Sequence, residues 1–205
     1  MRALVIGGTG PTGHFVVNGL IARGFEVSIL HTGNHEVAEI PASVVHIHTN
    51  PFDEQALMSA LGDSHFDVTL AMYGRLRRVA EIMVGRTERF ISVGGGPAYR
   101  GFMNADMVHP PGLPVPVGED AVKTTSEAED GKGYRVYRSE EVVFTHHPNA
   151  THFRYPQIYG AYQVVPREWP IVRRILDQRP FIILPDDGLS LNHSGAAANA
   201  AHALL

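Results

Sequence analysis

The chain has no cysteine among its 205 residues, which excludes disulfides, thiolate nucleophiles and zinc–thiolate sites. Positive charge is scarce as well, because 17 Lys and Arg stand against 21 Asp and Glu, and the isoelectric point is near 6.3. A nucleic-acid or anionic-membrane partner would require a basic face, so we expect neither. No apolar run is long enough to cross a bilayer, and the residues before the first glycine are too few for a signal peptide. We therefore expect a cytoplasmic protein.

A glycine-rich turn follows the first apolar run, Ala3 to Ile6. Its three key glycines stand where a buried strand turns into a helix. The first permits the turn, the second lets the backbone approach a pyrophosphate, and the third allows close packing of helix on strand. The N-terminal amides of the helix then point at the phosphates. We expect dinucleotide contacts from this turn at Gly7, Thr9, Gly10, Pro11, Thr12 and Gly13.

Strands and helices alternate along most of the chain. This rhythm, with short connections, predicts one domain with a doubly wound parallel α/β sheet, a Rossmann fold. Its ligand crevice lies at the carboxyl ends of the strands. The predicted strands are 3–6, 26–30, 43–48, 66–71, 89–93, 151–155 and 181–184, and the predicted helices are 12–22, 53–61, 75–84, 134–145, 168–177 and a terminal one from 195.

The pattern breaks between Gly94 and Gly133, where five prolines are incompatible with a long helix or a central strand. A loop of this length in a compact domain is usually functional or disordered. It leaves the end of the fifth strand on the crevice side. We therefore interpret residues 97–133 as part of the substrate wall or a lid, the alternative being a mobile surface excursion. Residues 156–205 are expected to supply the other substrate-side elements.

Two later segments give the chain a family resemblance. Residues 154–160 read Arg-Tyr-Pro-Gln-Ile-Tyr-Gly, and a second segment runs from Arg179-Pro180 to Asp186-Asp187-Gly188. With the glycine turn, they resemble the extended short-chain dehydrogenase/reductases, the NAD(P)-dependent epimerases and dehydratases. The resemblance covers essentially the whole chain and implies that Tyr155 and Pro156 border the cofactor. Family members usually run considerably longer, which implies that part of the C-terminal substrate portion is missing here.

The resemblance also implies a catalytic tyrosine with a lysine four residues later, which lowers the tyrosine pKa and holds the nicotinamide ribose. Here Tyr134 has Arg138 at the fourth following place. Arginine keeps the charge that favours a tyrosinate, but its shape differs from that of lysine. We take the two as the candidate catalytic pair. The alternative is a structural helix with its tyrosines packed on one face and its arginines in water.

A different register of the same helix would remove this pair. Matching Glu140-Glu141 to the acidic residues of the family puts Lys132 at the tyrosine place and Val136 at the lysine place. The family's Ser or Thr, which polarises the substrate carbonyl, falls within three glycines, 94 to 96. The nearest hydroxyl belongs to Ser92, which we expect inside the strand and near the cofactor.

The end of the second strand bears on the choice of cofactor. A carboxylate there would bind the ribose 2′-OH of NAD and repel a 2′-phosphate. The strand ends instead in His31 and Thr32, without an acid or an arginine, so we expect contacts from both and a preference for NADP over NAD. By the resemblance, Asn50 stands beside the adenine. Ala71 and Met72, which end the fourth strand, should line the dinucleotide through their backbone.

Other residues suggest sites that we consider less well supported. His46 and His48 project to the same side of a strand, as two metal ligands would, but no third ligand is spaced to complete the site, so we expect no metal. The segment around Trp169 carries several arginines. We interpret it as an amphipathic helix with Trp169, Val172 and Leu176 facing inward.

These observations favour an NAD(P)-dependent oxidoreductase or epimerase/dehydratase. It would transfer hydride at a carbinol carbon of a small polar substrate, such as a nucleotide sugar or a ketone. The missing lysine and Ser/Thr make a non-catalytic dinucleotide-binding sensor, or a partner-binding subunit, the competing hypothesis. The identity of the substrate and the formation of a homodimer stay open at this point.

Overall fold

The computed structural model describes residues 1–184 and 193–205. Its main sheet has six parallel strands in the order β3-β2-β1-β4-β5-β6. These strands are β1 (Arg2–Ile6), β2 (Glu26–His31), β3 (Val45–His48), β4 (Phe66–Ala71), β5 (Thr87–Gly95) and β6 (Thr151–Tyr155). The doubly wound α/β fold expected from the alternation of elements is confirmed.

Helices cover both faces of this sheet, so each face has its own apolar core. The helices are α1 (Gly13–Ala22), α2 (Glu54–Leu61), α3 (Leu76–Ile82), α4 (Gly131–His146), α5 (Trp169–Leu176) and α6 (Ala197–Leu204). On one face, Val16 of α1 and Leu204 of α6 pack with Val5 and Ile29. On the other, residues of α2, α3 and α4 pack with Leu4. Two short parallel strands, β7 (Gln157–Tyr159) and β8 (Ser194–Ala196), form a second sheet.

The order of the strands reverses at β1, which pairs with β2 on one side and β4 on the other. The segments that follow these strands meet at this point. The Met72 amide donates to the Ile6 carbonyl at 3.0 Å, and the Gly7 amide donates to the Leu30 carbonyl at 2.8 Å. Ligands of open α/β sheets bind at such a reversal point, outside the carboxyl ends of the strands.

The proline-rich segment after β5 folds into two 3₁₀ turns of three residues each, Gly96–Ala98 and Ala105–Met107, and into no long helix. The Thr124 amide donates to the Ala98 carbonyl and the Arg100 amide to the Val122 carbonyl, both at 2.9 Å. Ala98 and Tyr99 are buried. These contacts favour a wall that is attached to the domain over a mobile surface excursion.

Two expectations for the C-terminal third are wrong. Residues 181–184 form no strand, because an apolar run makes a strand only where another strand pairs with it. Helix α5 forms as predicted, but Trp169, Val172 and Leu176 are 48%, 40% and 64% exposed rather than inward. Amphipathic spacing fixes which residues share a face, and it does not decide what covers that face. The Asp186-Asp187-Gly188 part of the resemblance lies outside the described residues.

Within the described residues, no helix is both long enough and apolar enough to cross a membrane.

Candidate functional site

The glycine turn has the three local geometries that its sequence predicts. Gly7 adopts a φ of +108°, in the left-handed region, and a Cβ there would lie 3.1 Å from Tyr73 Cβ. At Gly13, a Cβ would overlap the carbonyl group of Gly8, so only glycine lets the helix approach the strand this closely. At Gly10, a Cβ would find no described atom within 4 Å. The turn is therefore open at the position where a pyrophosphate is expected.

Helix α1 begins at the rim of this opening. Thr12 occupies its N-cap position, and its side chain makes no capping hydrogen bond, while the Gly13 amide donates to the Gly10 carbonyl at 3.0 Å. The first amides of a helix have no partner within the helix, and they carry the positive end of its dipole. Thr9, Gly10 and Pro11 are half-buried and line the approach to these amides. The arrangement is suited to binding an anion such as a diphosphate.

The loops after β3 and β4 provide the neighbouring walls. Ala71 is buried at the end of β4, and half-buried Met72 lies next to Gly7, 3.6 Å from the position that a Cβ of Gly7 would occupy. Asn50 is exposed, and its Oδ1 accepts the Phe52 amide at 3.0 Å. A carbonyl oxygen has a second lone pair, so this contact still leaves an acceptor for an adenine amine.

At the end of β2 the structure differs from the expectation. Thr32 is exposed, whereas His31 is buried, with its Nε2 3.1 Å from His46 Nδ1. The loop after β2 brings the Glu36 carboxylate to 3.2 Å from His46 Nδ1 and 3.3 Å from His48 Nε2. The expectation that His46 and His48 have no further ligand near them is therefore wrong. An acid does lie beside the end of β2, supplied by the loop and not by the strand.

The candidate catalytic pair lies on α4. Tyr134 is half-buried, and Arg138, four residues later, is near enough to interact with it. Arg138 also donates to Glu141 Oε2 at 2.8 Å. Glu141, and to a smaller extent Tyr134, raises the pKa of the Arg138 guanidinium. The two side chains are therefore neighbours on α4, and Glu141 pairs with the same Arg138 guanidinium that would act on the tyrosine.

The N-terminus of α4 is held against the loop that follows β5. A Cβ at Gly133 would lie 2.6 Å from Asp130 Oδ2, 2.7 Å from the Pro97 carbonyl oxygen and 2.9 Å from Thr124 Oγ1. Only glycine permits this approach. It places Tyr134, the next residue, beside the loop where the family resemblance expects a Ser or Thr.

Ser92 lies inside β5, as expected, and is completely buried. Its Oγ is 2.7 Å from Nδ1 of His152 on the neighbouring strand β6. Burial lowers the pKa of His152, so this ring is neutral near pH 7. Because its hydroxyl bonds within the sheet, the structure does not support the cofactor contact expected of Ser92.

Tyr155 and Pro156 lie where β6 leaves the sheet. Tyr155 shares a hydrogen bond with the Thr12 side chain, and burial raises the pKa of its hydroxyl to about 12. It remains protonated at neutral pH and supports the start of α1. Pro156 lies against β8, because a Cβ added at Gly195 would be 2.9 Å from its Cγ. Tyr155 therefore adjoins the glycine turn, and Pro156 adjoins the second sheet.

A buried ion pair connects the proline-rich segment to this region. Arg154 Nε donates to Glu140 Oε2 at 2.8 Å, and Arg154 Nη1 donates to the Tyr99 hydroxyl at 2.9 Å and to the Glu119 carbonyl at 3.0 Å. Glu140 is only 6% exposed. Arg154 and Glu140 both belong to segments with a family resemblance, but no pattern in the sequence indicates that their side chains are in contact. Their contact joins α4, β6 and the proline-rich segment of residues 97–133.

No protein-family model and no curated protein matches the chain. Among solved structures, UDP-glucose 4-epimerase of Thermus thermophilus in complex with NAD is 18% identical, with a TM-score of 0.71 over 99% of this chain and 73% of that chain. The enzyme WbmG of Bordetella bronchiseptica in complex with NAD and UDP is 12% identical, with a TM-score of 0.73 over 99% and 67%. UDP-glucose 4-epimerase of Thermotoga maritima with UDP-glucose is 17% identical, with a TM-score of 0.70 over 100% and 72%.

These likenesses establish the fold. Two of the three structures named above are UDP-glucose 4-epimerases, and their fold agrees with the resemblance found in the sequence. In the Thermotoga comparison the match takes in all of this chain but 72% of the other, so the solved enzyme is the longer of the two.

Proposed function

We propose that the chain binds a nicotinamide dinucleotide at the glycine turn and acts as an NAD(P)-dependent oxidoreductase or epimerase/dehydratase. One observation carries the proposal. The turn is open at Gly10, in front of the N-terminus of α1 and at the reversal point of the sheet. Backbone amides and the helix dipole would hold the pyrophosphate there, with the adenosine toward the end of β2 and the nicotinamide toward α4.

The solved structures support a nucleotide sugar as the first substrate class to test. WbmG is described with NAD and UDP, and the Thermotoga epimerase with UDP-glucose. Residues 97–133 would form one wall of the substrate site. Arg154 of β6 holds this segment in place, because it donates to the Tyr99 hydroxyl. Small ketones are the second class, since the chemistry requires only a carbinol or carbonyl carbon within reach of the nicotinamide.

Tyr134 would move the proton on the substrate oxygen. The dinucleotide, when bound, supplies or accepts the hydride. The positive charge of Arg138 would stabilise negative charge on the Tyr134 oxygen during proton transfer, as the lysine of the family does. Glu141 weakens this effect because it pairs with the same guanidinium. The chemistry proposed here is therefore slower than with an unpaired lysine.

The second candidate function is a dinucleotide-binding sensor or subunit without turnover. Two observations favour it, the Arg138–Glu141 pair and the buried hydroxyl of Ser92, which bonds with His152 inside the sheet. The experiment that separates the two functions incubates the chain with a panel of nucleotide sugars and small ketones. With NAD or NADP, the nucleotide sugars are analysed for epimerised or dehydrated product, and with the small ketones the oxidation of NADPH and NADH is followed. Turnover supports the enzyme, and dinucleotide binding without turnover on any member supports the sensor.

Variants of α4 then test the assignment of the acid. Tyr134→Phe should abolish turnover while the dinucleotide Kd changes less than about twofold, because one hydroxyl of the protein is lost and the turn is intact. Tyr137→Phe is the matched control and should keep activity. Arg138→Lys should retain or raise activity, and Arg138→Met should weaken dinucleotide binding, because the charge expected to hold the nicotinamide ribose is lost. Full activity in Tyr134→Phe would exclude this mechanism.

A further inference from the structure

Three histidines and one glutamate form a single cluster at the carboxyl ends of β2 and β3. One ligand atom from each of His31, Glu36, His46 and His48 lies within 4.8 Å of the others. The separations between neighbours are 3.1 Å for His31 Nε2 and His46 Nδ1, and 3.2 and 3.3 Å from the Glu36 carboxylate to His46 and His48. Glu36 Oε1 is 3.9 Å from His31 Nε2.

We propose that this cluster is a binding site for a divalent transition-metal ion, with Zn²⁺ as the best match. Imidazole nitrogen and carboxylate oxygen are ordinary zinc ligands at about 2.0–2.2 Å, and a tetrahedron with such bonds has edges of about 3.3–3.5 Å. Three of the four separations above lie within a few tenths of an ångström of that edge, although the two short ones from Glu36 involve different oxygens of its carboxylate. A small rotation of the carboxylate would therefore have to bring one oxygen to the ion. The proposal is independent of the dinucleotide function.

The fold places these ligands before any metal arrives. In the parallel pairing of β2 with β3, His31 lies opposite His48, and Ile29 opposite His46, so the three rings lie on one face of the sheet. The glutamate comes from the loop between the strands. That loop is anchored by Val37 and Ile40, which are 5% and 8% exposed in the core under α1. Glu36 is thereby held above the three rings.

The protonation state of the cluster is also suitable. At 3.1 Å, His31 Nε2 and His46 Nδ1 share one proton, and a metal ion would replace it. The Gly33 amide lies 3.3 Å from His31 Nδ1, a long contact that is lost when Nδ1 takes the ring proton. His48 and Glu36 are each 54% exposed and give the ion a path from solvent.

The composition of the cluster argues for a structural cation site. An anion such as a ribose phosphate would have to displace Glu36, whose carboxylate is 3.2–3.9 Å from all three rings. Four protein ligands also complete a tetrahedral zinc sphere and leave no position for a reacting water. The ion would fasten the β2–β3 loop to the sheet beside the expected adenosine position.

The test uses the full chain without an affinity tag, stripped of metal by a chelator and titrated with Co²⁺ and Zn²⁺. The chain has no cysteine, so any tetrahedral Co²⁺ spectrum must come from nitrogen and oxygen ligands. We expect one ion per chain in the wild type. Loss of an outer-shell partner typically weakens metal affinity 10- to 100-fold, so loss of a ligand in His46→Gln should weaken it by at least roughly 100-fold. His48→Gln tests the same loss of metal affinity at an exposed ring, whose replacement should not affect folding.

The matched control is His35→Gln, which removes an exposed histidine next to Glu36 in the sequence. It should bind as the wild type does. Zn²⁺ should raise the thermal midpoint of the wild type and of His35→Gln, and leave those of His46→Gln and His48→Gln unchanged. The proposal is overturned if the wild type gives no tetrahedral Co²⁺ spectrum, or if folded His46→Gln and His48→Gln bind metal as tightly as the wild type.

Discussion

Replacement of Gly10 by Val separates binding from folding more cleanly than any other change in the glycine turn. A Cβ at this position meets no described atom within 4 Å, so the added side chain costs the folded protein little. We expect the free energy of unfolding to change by less than about 0.5 kcal/mol. The same side chain occupies the space through which a pyrophosphate would approach the backbone amides.

The loss in affinity can be worked out from those amides. A hydrogen bond to a charged group contributes about 1.5–3 kcal/mol, so losing two amide–phosphate bonds costs about 3–6 kcal/mol. Each 1.4 kcal/mol is a factor of ten, which predicts a roughly 100- to 10,000-fold rise in the dinucleotide Kd. Isothermal titration calorimetry with NADH and NADPH measures the Kd, and urea unfolding measures the stability.

Two glycine variants serve as controls for this measurement. A Cβ at Gly131, outside the turn, would have its nearest contacts at 3.5 Å and 3.6 Å, so Gly131→Val should leave both affinity and stability near those of the wild type. Gly13→Ala is the opposite case, because its Cβ would overlap the Gly8 carbonyl, and it should lose stability. Wild-type affinity in Gly10→Val, with the fold intact, would refute the reasoning.

Three predictions concern other contacts. Glu140→Gln should lower the free energy of unfolding by about 3 kcal/mol, because it leaves the buried side of Arg154 without its charge partner. Glu141→Gln changes the exposed neighbouring pair and should lower it by less than about 1 kcal/mol. Equal losses in urea unfolding would contradict the difference in burial. Thr32→Asp should shift the ratio of the NADPH and NADH dissociation constants toward NADH, and Thr32→Arg toward NADPH, by about 1–3 kcal/mol each in a partly desolvated site; three identical ratios would show that this residue does not touch the ribose. The folded-state pKa of His152 is lowered by burial, so its contribution to stability is complete above the unfolded pKa of about 6.5 and is lost as the pH falls through the folded value. His152→Gln should reduce the acid-induced drop in stability, and an unchanged drop would assign it to other groups.

The main sheet could be predicted because the residues of each strand indicate a strand without reference to the rest of the chain. Residues 3–6 are buried on both faces, and a continuous apolar run ended by glycine indicates such a strand without further context. The glycine turn is predictable for the same reason, because each of its glycines is required by a steric constraint within the turn itself. Residues 181–184 have a similar composition but form no strand, because strand formation depends on a partner that the run itself does not specify.

The histidine cluster could be predicted only in part, because some of its contacts depend on packing that the local sequence does not specify. The strand order of a doubly wound sheet places β2 beside β3, so the proximity of His31 to His48 could have been inferred from the fold alone. The position of Glu36 could not, because it depends on how Val37 and Ile40 seat the loop in the core. Likewise, the pairing of Arg154 with Glu140 requires the packing of α4 beside β6, which no spacing in the sequence reveals.

The most direct test of the central claim is a crystal structure of the chain with NADPH. The pyrophosphate should lie on the amides at the start of α1, within hydrogen-bond distance of the turn around Gly10. The adenosine should lie at the end of β2, and the nicotinamide ribose beside the Tyr134 hydroxyl. A dinucleotide bound away from the glycine turn, or a crevice that stays empty at saturating NADPH and NADH, would contradict the account.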